Sequence, residues 1–385
     1  MHVLVTGGAG FIGSFVVDRL LAAGHSVRVF DNLDPQVHPE GRPSYLAREA
    51  ELLVGDVRDR TRLANALEGV DAVVHAAAAV GVAQSLYKVE HFVDVNVRGT
   101  ATLLDCLQQA AQRVRKLLVF TSMTGYGEGV YRRPSDGRLL RVAIRTEDDI
   151  ARHGWEPVCP ETGEQLEPAP TPEDAALLAR NVYALTKRWQ EELALSLGSV
   201  YGFPVVCLRL FNVYGPRQSL SNPYTGVLAI FLSRLLAGEQ PVVYEDGGQS
   251  RDFISVHDVA ETALLALETD RADGVVMNLG SGELRRIADI GRTLAALAGR
   301  EDLQPRVTGQ FRRGDVRHCT ADIARARRAL GFAPRIGWEQ GLHELLEWCR
   351  GAGARDHFGR AQGELERHGL LSRQLGPAGG EGPSA

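Results

Sequence analysis

Two spacings of apolar residues alternate along the first half of the chain. Short runs over 3–5, 26–30, 51–54, 71–75 and 116–120 are apolar at nearly consecutive positions, as suits strands buried on both faces. Between them lie stretches with a helical period. One covers 14–23, with Phe15, Val16, Leu20 and Leu21 on one stripe; a short one covers 59–68; a long one over 86–112 carries Phe92, Val95, Val97, Leu103, Leu104 and Leu107. Five such alternations predict an α/β fold built on a doubly wound parallel sheet, whose ligands sit outside the carboxyl ends of the strands. The rhythm fails over 127–180, where Pro134, Pro157, Pro160, Pro168, Pro170 and Pro172 stand among many charges, and an inserted surface excursion is expected there. A helix opening at Asn181 and running to about Leu197, then a strand over 204–210, restore it. Beyond 216 the alternation loosens into helix 226–237, strand 241–244, helix 258–267, strand 275–279 and helices near 286–299, 321–330 and 338–350. The expected division is a first domain over 1–215 carrying the insertion, with 253–280 returning to it. A smaller α/β domain takes 216–252 and 281–350. The tail over 351–385 is helical and then, from about 374, too poor in apolar residues to be ordered.

The opening residues carry the first chemistry. The strand at 3–5 runs into Thr6-Gly7-Gly8-Ala9-Gly10-Phe11-Ile12-Gly13 and then into the first helix. Strand, glycine turn and helix in that order fit the dinucleotide fingerprint, through Gly8, Gly10 and Gly13 or through Gly7, Gly10 and Gly13. Glycines let the chain turn tightly and let a pyrophosphate reach bare N–H groups at the helix N-terminus. The second strand ends in Asp31, 18 positions after Gly13, where the fold puts a carboxylate that accepts from a ribose hydroxyl. The same charge repels a 2′-phosphate, which favours NAD over NADP. Asp56 follows the third strand, where it could accept from an adenine amine or simply place charge at the start of the next helix. Ala76, Ala77 and Ala78 follow the fourth strand, small enough for backbone to sit against a cofactor. His75 reads as a core residue rather than a base.

The 385 residues are 44% hydrophobic and 24% charged, with a formal net charge of −5, which suits one large or two modest globular domains. No basic stripe dominates, so nucleic acid is not an expected partner. No apolar run reaches the length of a membrane span, so no membrane partner is expected. The chain opens directly on a strand, so no signal peptide is expected. Cys106, Cys159, Cys207, Cys319 and Cys349 are scattered, odd in number and never spaced Cys-x-x-Cys. A reducing cytoplasm, without disulfides or a metal site, is the expectation.

Tyr183 and Lys187 stand four positions apart on the helix that opens at Asn181, hence on one face. A phenol with a pKa of about 10 is too weak a base at neutral pH. Bringing it near 7 takes roughly 4 kcal/mol of preference for the phenolate, which an adjacent ammonium and an oxidised nicotinamide could supply in a dry site. Tyr-x-x-x-Lys alone usually marks an amphipathic helix. With a dinucleotide turn upstream and Ser122 closing the fifth strand, the pair reads as catalytic.

These pieces are joined by Asp31-Asn32, Gly55-Asp56, His75-Ala76-Ala77-Ala78, Asn96, Arg209-Leu210-Phe211-Asn212-Val213-Tyr214-Gly215-Pro216, Arg251-Asp252-Phe253-Ile254-x-Val256-x-Asp258 and Asn278-Leu279-Gly280-Ser281-Gly282. Together they resemble the extended short-chain dehydrogenase/reductase family, in its nucleotide-sugar branch, to about residue 350. The resemblance implies a Rossmann domain binding NAD through Gly7, Gly10, Phe11, Ile12, Gly13, Asp31, Asn32, Asp56, Val57, Ala76, Ala77, Ala78, Asn96, Tyr183 and Lys187. It implies hydride transfer at a sugar carbon, with Tyr183 as base, Lys187 holding the nicotinamide ribose and tuning Tyr183, and Ser122 hydrogen-bonding the reacting oxygen. It also implies that Asn212 binds the diphosphate or sugar, that Arg251 and Arg312 grip the diphosphate, and that Asp315 holds the nucleotide ribose. Asn222 and Tyr224 would lie in a loop that closes over the nucleotide. The plainer alternatives are surface ion pairs for the two arginines and a local cap for Asp315. Relatives usually dimerise through two helices per subunit, here near 90–112 and 181–197, so a homodimer is implied.

One local feature bears on the reaction. In 4,6-dehydratases of the family the strand-five hydroxyl is followed by Asp-Glu, and decarboxylating relatives keep the Glu; here Met123-Thr124 follow Ser122. Neither can act as a carboxyl acid or base, so elimination and decarboxylation lack their machinery. Epimerisation at the sugar 4-position needs only the tyrosine, the hydroxyl and NAD, with a transient 4-keto sugar and hydride returned to its other face. Ser122 and Tyr183 are 61 positions apart, far more than is usual. Similar long inserts, with Tyr-Gly-Glu-Gly, Asn-Pro-Tyr-Thr-Gly and Tyr-Ala-Leu-Thr-Lys runs, occur in dTDP-L-rhamnose 4-epimerase-type enzymes, which implies a dTDP-deoxyhexose. Two readings compete: a nucleotide-4-keto-sugar reductase using the same residues for one hydride transfer, and a non-enzymatic protein sensing NAD or a nucleotide sugar on the same fold. Asp31 speaks against the first, and the presence of both Tyr183 and Lys187 against the second.

Overall fold

The computed structural model describes every residue except 111–113, 221–225, 354, 355, 357 and 373–385. The tail expected to lack order from about 374 lies outside the described residues. β1 (His2–Thr6), β2 (Ser26–Asp31), β3 (Glu51–Val54), β4 (Ala72–His75) and β5 (Lys116–Ser122) are joined by the strands Val205–Leu210 and Val275–Leu279 in a seven-stranded parallel sheet. Its order is β3–β2–β1–β4–β5, then 205–210, then 275–279. Successive side chains of a strand point to opposite faces. Val3, Val5, Val27, Val29, Val74, Leu118, Phe120, Val206 and Leu208 therefore fill one core, shared with α1 (Phe11–Ala22) and the helix Val256–Glu268. Leu4, Phe30, Val73, Leu117, Val119, Val205 and Cys207 fill the other, against Arg60–Ala66, Gly99–Ala110 and Val182–Tyr201. Val3, Leu4 and Val5 are completely buried, each stabilising the fold by roughly 2 kcal/mol. The chain runs outward from β1 to β3, then crosses back to β4, and this reversal opens a crevice above the carboxyl ends of β1 and β4.

Two helices depart from the expected pattern. α1 starts at Phe11, three residues early, directly after the extended backbone of Gly10 (φ −72°, ψ 179°). The long pattern over 86–112 is divided into Val82–Ser85, Val89–Phe92, one π-helical turn Val93–Arg98, and Gly99–Ala110. The wider turn carries Asn96 wholly inside the protein; such turns concentrate at functional sites.

The insertion is built into the fold rather than draped over it. Val130–Arg132, Leu139–Arg141 and Glu167–Thr171 supply half of a six-stranded sheet, and Ser250–Arg251, Arg285–Arg286 and His318–Ala321 supply the rest. Its two hairpin tips repeat one pattern. Gly137 N donates to Arg133 O and Arg133 N to Arg138 O; Gly163 N donates to Cys159 O and Cys159 N to Glu164 O. Arg133 joins the tips, pairing with Asp136 and reaching Glu161 at 3.2 Å and Cys159 Sγ at 3.6 Å. The C-terminal part packs Leu228, Phe231 and Leu232 of Val227–Leu236 against Ile287–Leu297 and Trp338–Gly351. A further helix, Phe358–Arg367, ends near His368, whose ring stacks on Tyr87 at 4.3 Å. Among the described residues no helix is long and apolar enough to cross a membrane, and all five cysteines are buried and free.

Candidate active site

Three of the four glycines of the β1–α1 turn do different work. Gly7 has a left-handed backbone (φ +69°), and a Cβ there would lie 2.7 Å from Ala77 N; a Cβ on Gly13 would lie 2.1 Å from Gly7 O. Those two let the turn close on itself and on the exit of β4. At Gly10 a Cβ would meet only Gly7 O, at 3.3 Å, so the missing side chain leaves open space. α1 has no side-chain cap and no acid in its first turn. Its first N–H groups thus have no partner within the helix, and an anion is favoured beside them. Phe11 and Ile12 are half-buried there, as are Ala76, Ala77 and Ala78 opposite.

Asp31, at the end of β2, accepts from Ala9 N (3.0 Å) and Leu33 N (2.9 Å). Each oxygen keeps a further lone pair, so the carboxylate is oriented and still able to accept hydroxyls. Asn32 Nδ2 approaches Asp56 Oδ2 at 3.4 Å. Hydrogen bonds from Arg58, at 2.6 Å to the side chain, hold the Asp56 carboxyl down to about 2. The next helix is capped by Asp59, which accepts from Arg62 N, so Asp56 is not its cap. Val57 is buried against Gly99, where a Cβ would lie 2.6 Å from it. Asn96 departs from the expected direct contact with a cofactor. It is completely buried. Its amide is engaged with Ala79 N (2.7 Å), Ala79 O (3.1 Å) and Thr186 Oγ1 (2.9 Å). It braces the loop after β4 against the helix Val182–Tyr201. His75 is a core group between Thr6 Oγ1 (2.7 Å) and Thr100 Oγ1 (2.9 Å). Burial, with a smaller contribution from Lys187, lowers its pKa to about 3, so it is neutral.

Ser122, Tyr183 and Lys187 converge at the end of β5. Asn181 caps the helix by accepting from Ala184 N (2.9 Å), and Ser85 Oγ accepts from Tyr183 N (3.0 Å). The Ser122 side chain faces the Tyr183 phenol closely enough to favour its ionised form. Thr124 donates twice to Ser122 Oγ, from N at 3.3 Å and from Oγ1 at 3.0 Å. A hydroxyl has two lone pairs; with both engaged by Thr124, Ser122 has only its own proton left to offer. Lys187 Nζ donates to Phe120 O at 3.0 Å. Burial dominates both titratable groups. It pulls Lys187 down to about 7 and pushes Tyr183 up to about 12, only partly offset by the nearby Ser122 hydroxyl. The expected lowering of the phenol by Lys187 is therefore not a property of the protein alone. Sequence reasoning missed Thr124 and Ser85. A second hydroxyl two positions after the strand-end serine could have revealed Thr124. Ser85 lies 98 positions from its partner and left no local signal.

Arg251, Arg312 and Asp315 form one cluster. Asp315 accepts from Arg251 Nη2 at 2.9 Å through Oδ1 and from Arg312 Nε at 3.0 Å through Oδ2. Burial opposes its charge, but Arg312 and Arg251 outweigh that and hold the carboxyl down to about 2. Arg251 is only 9% exposed, which sets it apart from a surface ion pair. Asn212 lies alongside: its N–H donates to Asp252 O (3.0 Å), and no donor among the described residues reaches its buried Oδ1. An orphaned buried acceptor is costly unless a ligand satisfies it. Asp252, also missed as a site residue, is wholly buried and holds the Gly280-Ser281-Gly282 loop by accepting from Ser281 N (2.6 Å) and Gly282 N (2.9 Å). Asn222 and Tyr224 lie outside the described residues.

Comparison with known proteins agrees with this geometry. The dTDP-L-rhamnose 4-epimerase of Burkholderia thailandensis is 37% identical over 355 residues, covering 90% of this chain and 94% of that protein. The crystal structure of UDP-glucose 4-epimerase from Thermotoga maritima with UDP-glucose aligns with a TM-score of 0.75 at 29% identity, covering 91% of this chain and 99% of that one. UDP-glucose 4-epimerase of Thermus thermophilus in complex with NAD aligns with a TM-score of 0.72 at 29% identity, over 91% of this chain and 100% of that one. The match to the family itself covers residues 3–146 and 158–280, skipping a stretch inside the insertion and ending at residue 280. The chain belongs to the NAD dependent epimerase/dehydratase family.

Proposed function

We propose that this protein is an NAD-dependent nucleotide-sugar 4-epimerase whose substrate is a dTDP-deoxyhexose. The observation that carries the reading is the convergence of Ser122, Tyr183 and Lys187 at the end of β5, with Met123 and Thr124 standing where elimination and decarboxylation need carboxylates. The open side of Gly10, the uncapped start of α1 and the oriented carboxylate of Asp31 fit NAD. The 37% identity to a dTDP-L-rhamnose 4-epimerase supports the choice of sugar nucleotide. As part of the same proposal the protein works as a cytoplasmic homodimer. The exposed Val89 and Trp189, on the two helices expected to pair, support the dimer, and five buried free thiols support the compartment.

When bound, NAD would supply a hydride acceptor, and then donor, for the sugar 4-carbon. The chain's own residues manage the proton and the geometry. Tyr183 Oη takes the proton of the 4-hydroxyl, while Ser122 donates to the same oxygen and stabilises the charge that develops there. Lys187, with a pKa near neutrality, supplies positive charge beside the phenol once a partner in the site favours its protonated form. Asn212, Arg251, Arg312 and Asp315 keep the nucleotide diphosphate fixed while the keto-sugar presents its other face. Tyr183 Oη then gives the proton back.

A panel of dTDP-, UDP- and GDP-sugars, incubated with the purified protein and no added cofactor and followed by mass spectrometry and NMR, tests this. The expected outcome is interconversion of a dTDP-deoxyhexose with its 4-epimer at unchanged mass. Net consumption of NADPH by a keto-sugar, without epimer formation, would overturn it.

A further inference from the structure

We propose that Glu128 is a positioning residue for the diphosphate grip, and that this is what the insertion contributes to the site; the proposal rests on the functional reading above. Glu128 follows Ser122 by six positions, in the run Tyr126-Gly127-Glu128-Gly129, and its side chain is wholly buried. It cannot touch a ligand. Its carboxylate accepts from Arg317 N with both oxygens at 3.0 Å, from His318 N at 3.4 Å and from Tyr131 Oη at 2.7 Å. Arg145 Nε lies 3.5 Å away. These bonds hold the start of the strand His318–Ala321.

That strand holds Arg251. It pairs in parallel with Ser250–Arg251, Arg251 opposite Cys319. Arg317 O accepts from Ser250 N at 3.0 Å and from Arg251 Nη1 at 3.0 Å. The path runs from the Ser122 turn through the Glu128 carboxylate and the Arg317 main chain to the Arg251 guanidinium, and on to Asp315 and Arg312. Gly129 keeps the first contact close: its N–H donates to His318 O at 2.9 Å, and a Cβ there would lie 2.8 Å from that oxygen. The turn is anchored from behind as well, since Tyr126 Oη donates to Asn278 Oδ1 at 2.7 Å and accepts from Arg209.

The side chain of Arg317 closes the arrangement. It pairs with Glu245 at 2.7 Å, Asp246 at 2.6 Å and Glu156, while Arg145 pairs with Glu245 at 3.0 Å. Glu128, Arg145 and Glu156 come from the insertion; Glu245, Asp246 and Arg317 come from the C-terminal part. Glu128, Arg145, Glu245 and Arg317 are buried, and removing one of these charges leaves the others unpaired, so the insertion and the grip hold each other in register.

The test is Glu128→Gln, which keeps the shape but replaces one acceptor oxygen with a donor. Affinity for dTDP is read by calorimetry, with kcat and KM for the sugar nucleotide and the NAD content alongside. Kd for dTDP and KM are expected to rise about tenfold or more, the worth of a hydrogen bond to a charged group, with NAD content unchanged and kcat altered much less. In an Arg251→Ala background the same change should add nothing, because both act on one contact. Wild-type affinity in Glu128→Gln, or effects that add in the double variant, would overturn the proposal. Should Glu128→Gln not fold, Tyr131→Phe removes one donor to the same carboxylate. A weakened dTDP affinity that vanishes in the Arg251→Ala background supports the proposal, and an unchanged affinity overturns it. Failure of the epimerase reading shows separately, as absent sugar turnover by wild-type protein that still binds dTDP.

Discussion

Lys187 is buried at the end of β5 with its Nζ on the Phe120 carbonyl, and burial alone pulls its pKa to about 7. The folded value lies below that of an unfolded lysine. Between pH 7 and about 10.4 the unfolded chain therefore binds more protons, and stability rises with pH across that window. Below pH 7 the whole cost of burying the ammonium is present, roughly 4 kcal/mol for a shift of this size. Lys187→Met should accordingly stabilise the protein free of NAD at pH 7, by about 2 kcal/mol once the lost Phe120 bond is counted. Above pH 10.4 the advantage should fade, while turnover is lost at every pH. Denaturant melts of both proteins at pH 7 and above pH 10 would show it, and a destabilised variant at pH 7 would count against the argument. Tyr183→Phe is the complement. It removes the proposed proton carrier but leaves the Arg251, Arg312 and Asp315 cluster alone, so dTDP affinity should persist while turnover falls at least about 100-fold.

At the scale of elements, the β1–α1 turn separates three glycines that look alike as letters. Gly13→Ala would force a Cβ to 2.1 Å from Gly7 O, so α1 must shift. A loss of about 3 kcal/mol in stability, together with NAD, is expected. Gly10→Ala meets only Gly7 O at 3.3 Å and should stay within about 1 kcal/mol of the parent, yet still lose NAD, because its methyl group stands where a phosphate must approach. Thermal melts paired with NAD content distinguish these outcomes; equal destabilisation by both would refute the division of labour. The strand, turn and helix here are legible in the sequence because their determinants are local: an apolar run, glycines and an acid at the next strand end. The motifs around Arg251 and Arg312 could be read as well, but their pairing with Asp315 could not, since Arg251 lies 64 positions from it. The insertion was not. Its strands are 3, 3 and 5 residues long. The longest contains Pro168 and Pro170 and joins its neighbour through Ala321 opposite Thr171, a partner far along the chain. Alternate prolines put both missing N–H groups on one edge of that strand, which lets it pair while reading as a loop. The inward placement of Asn96 was hidden for a related reason: the π-helical turn that carries it has no mark in the apolar period.

Across the whole molecule, buried polar groups hold the two halves by different chemistry. In the sheet half His75 ties β4 to Thr6 of β1 and to Thr100 of the helix Gly99–Ala110, and burial keeps it neutral with a pKa of about 3. In the substrate half the ties are ionised carboxyls. Burial opposes the charge on Glu156, but His318 and Arg317 outweigh it and hold it at about 2, as the two arginines hold Asp315. All three folded values lie below the unfolded ones, so all three contributions are lost as pH falls, but over different ranges. The share of His75 is spent between about pH 6.5 and 3, because the unfolded histidine takes up a proton that the folded one refuses. The carboxyls hold until about pH 4.5 and give way towards 2. Acid should thus loosen the dinucleotide half first. NAD release is expected to begin near pH 6 and dTDP binding to survive to about pH 4.5. His75→Gln, which keeps a donor and an acceptor between the two threonines without a titrating ring, should flatten the loss of stability between pH 6.5 and 4.5, worth about 2 kcal/mol, and leave the steeper fall below 4.5 in place. Denaturant titrations at pH 7, 6, 5 and 4 on both proteins, with NAD and dTDP affinity at each pH, decide the matter. An unaltered slope above pH 4.5 in the variant would move the origin of acid sensitivity away from the sheet.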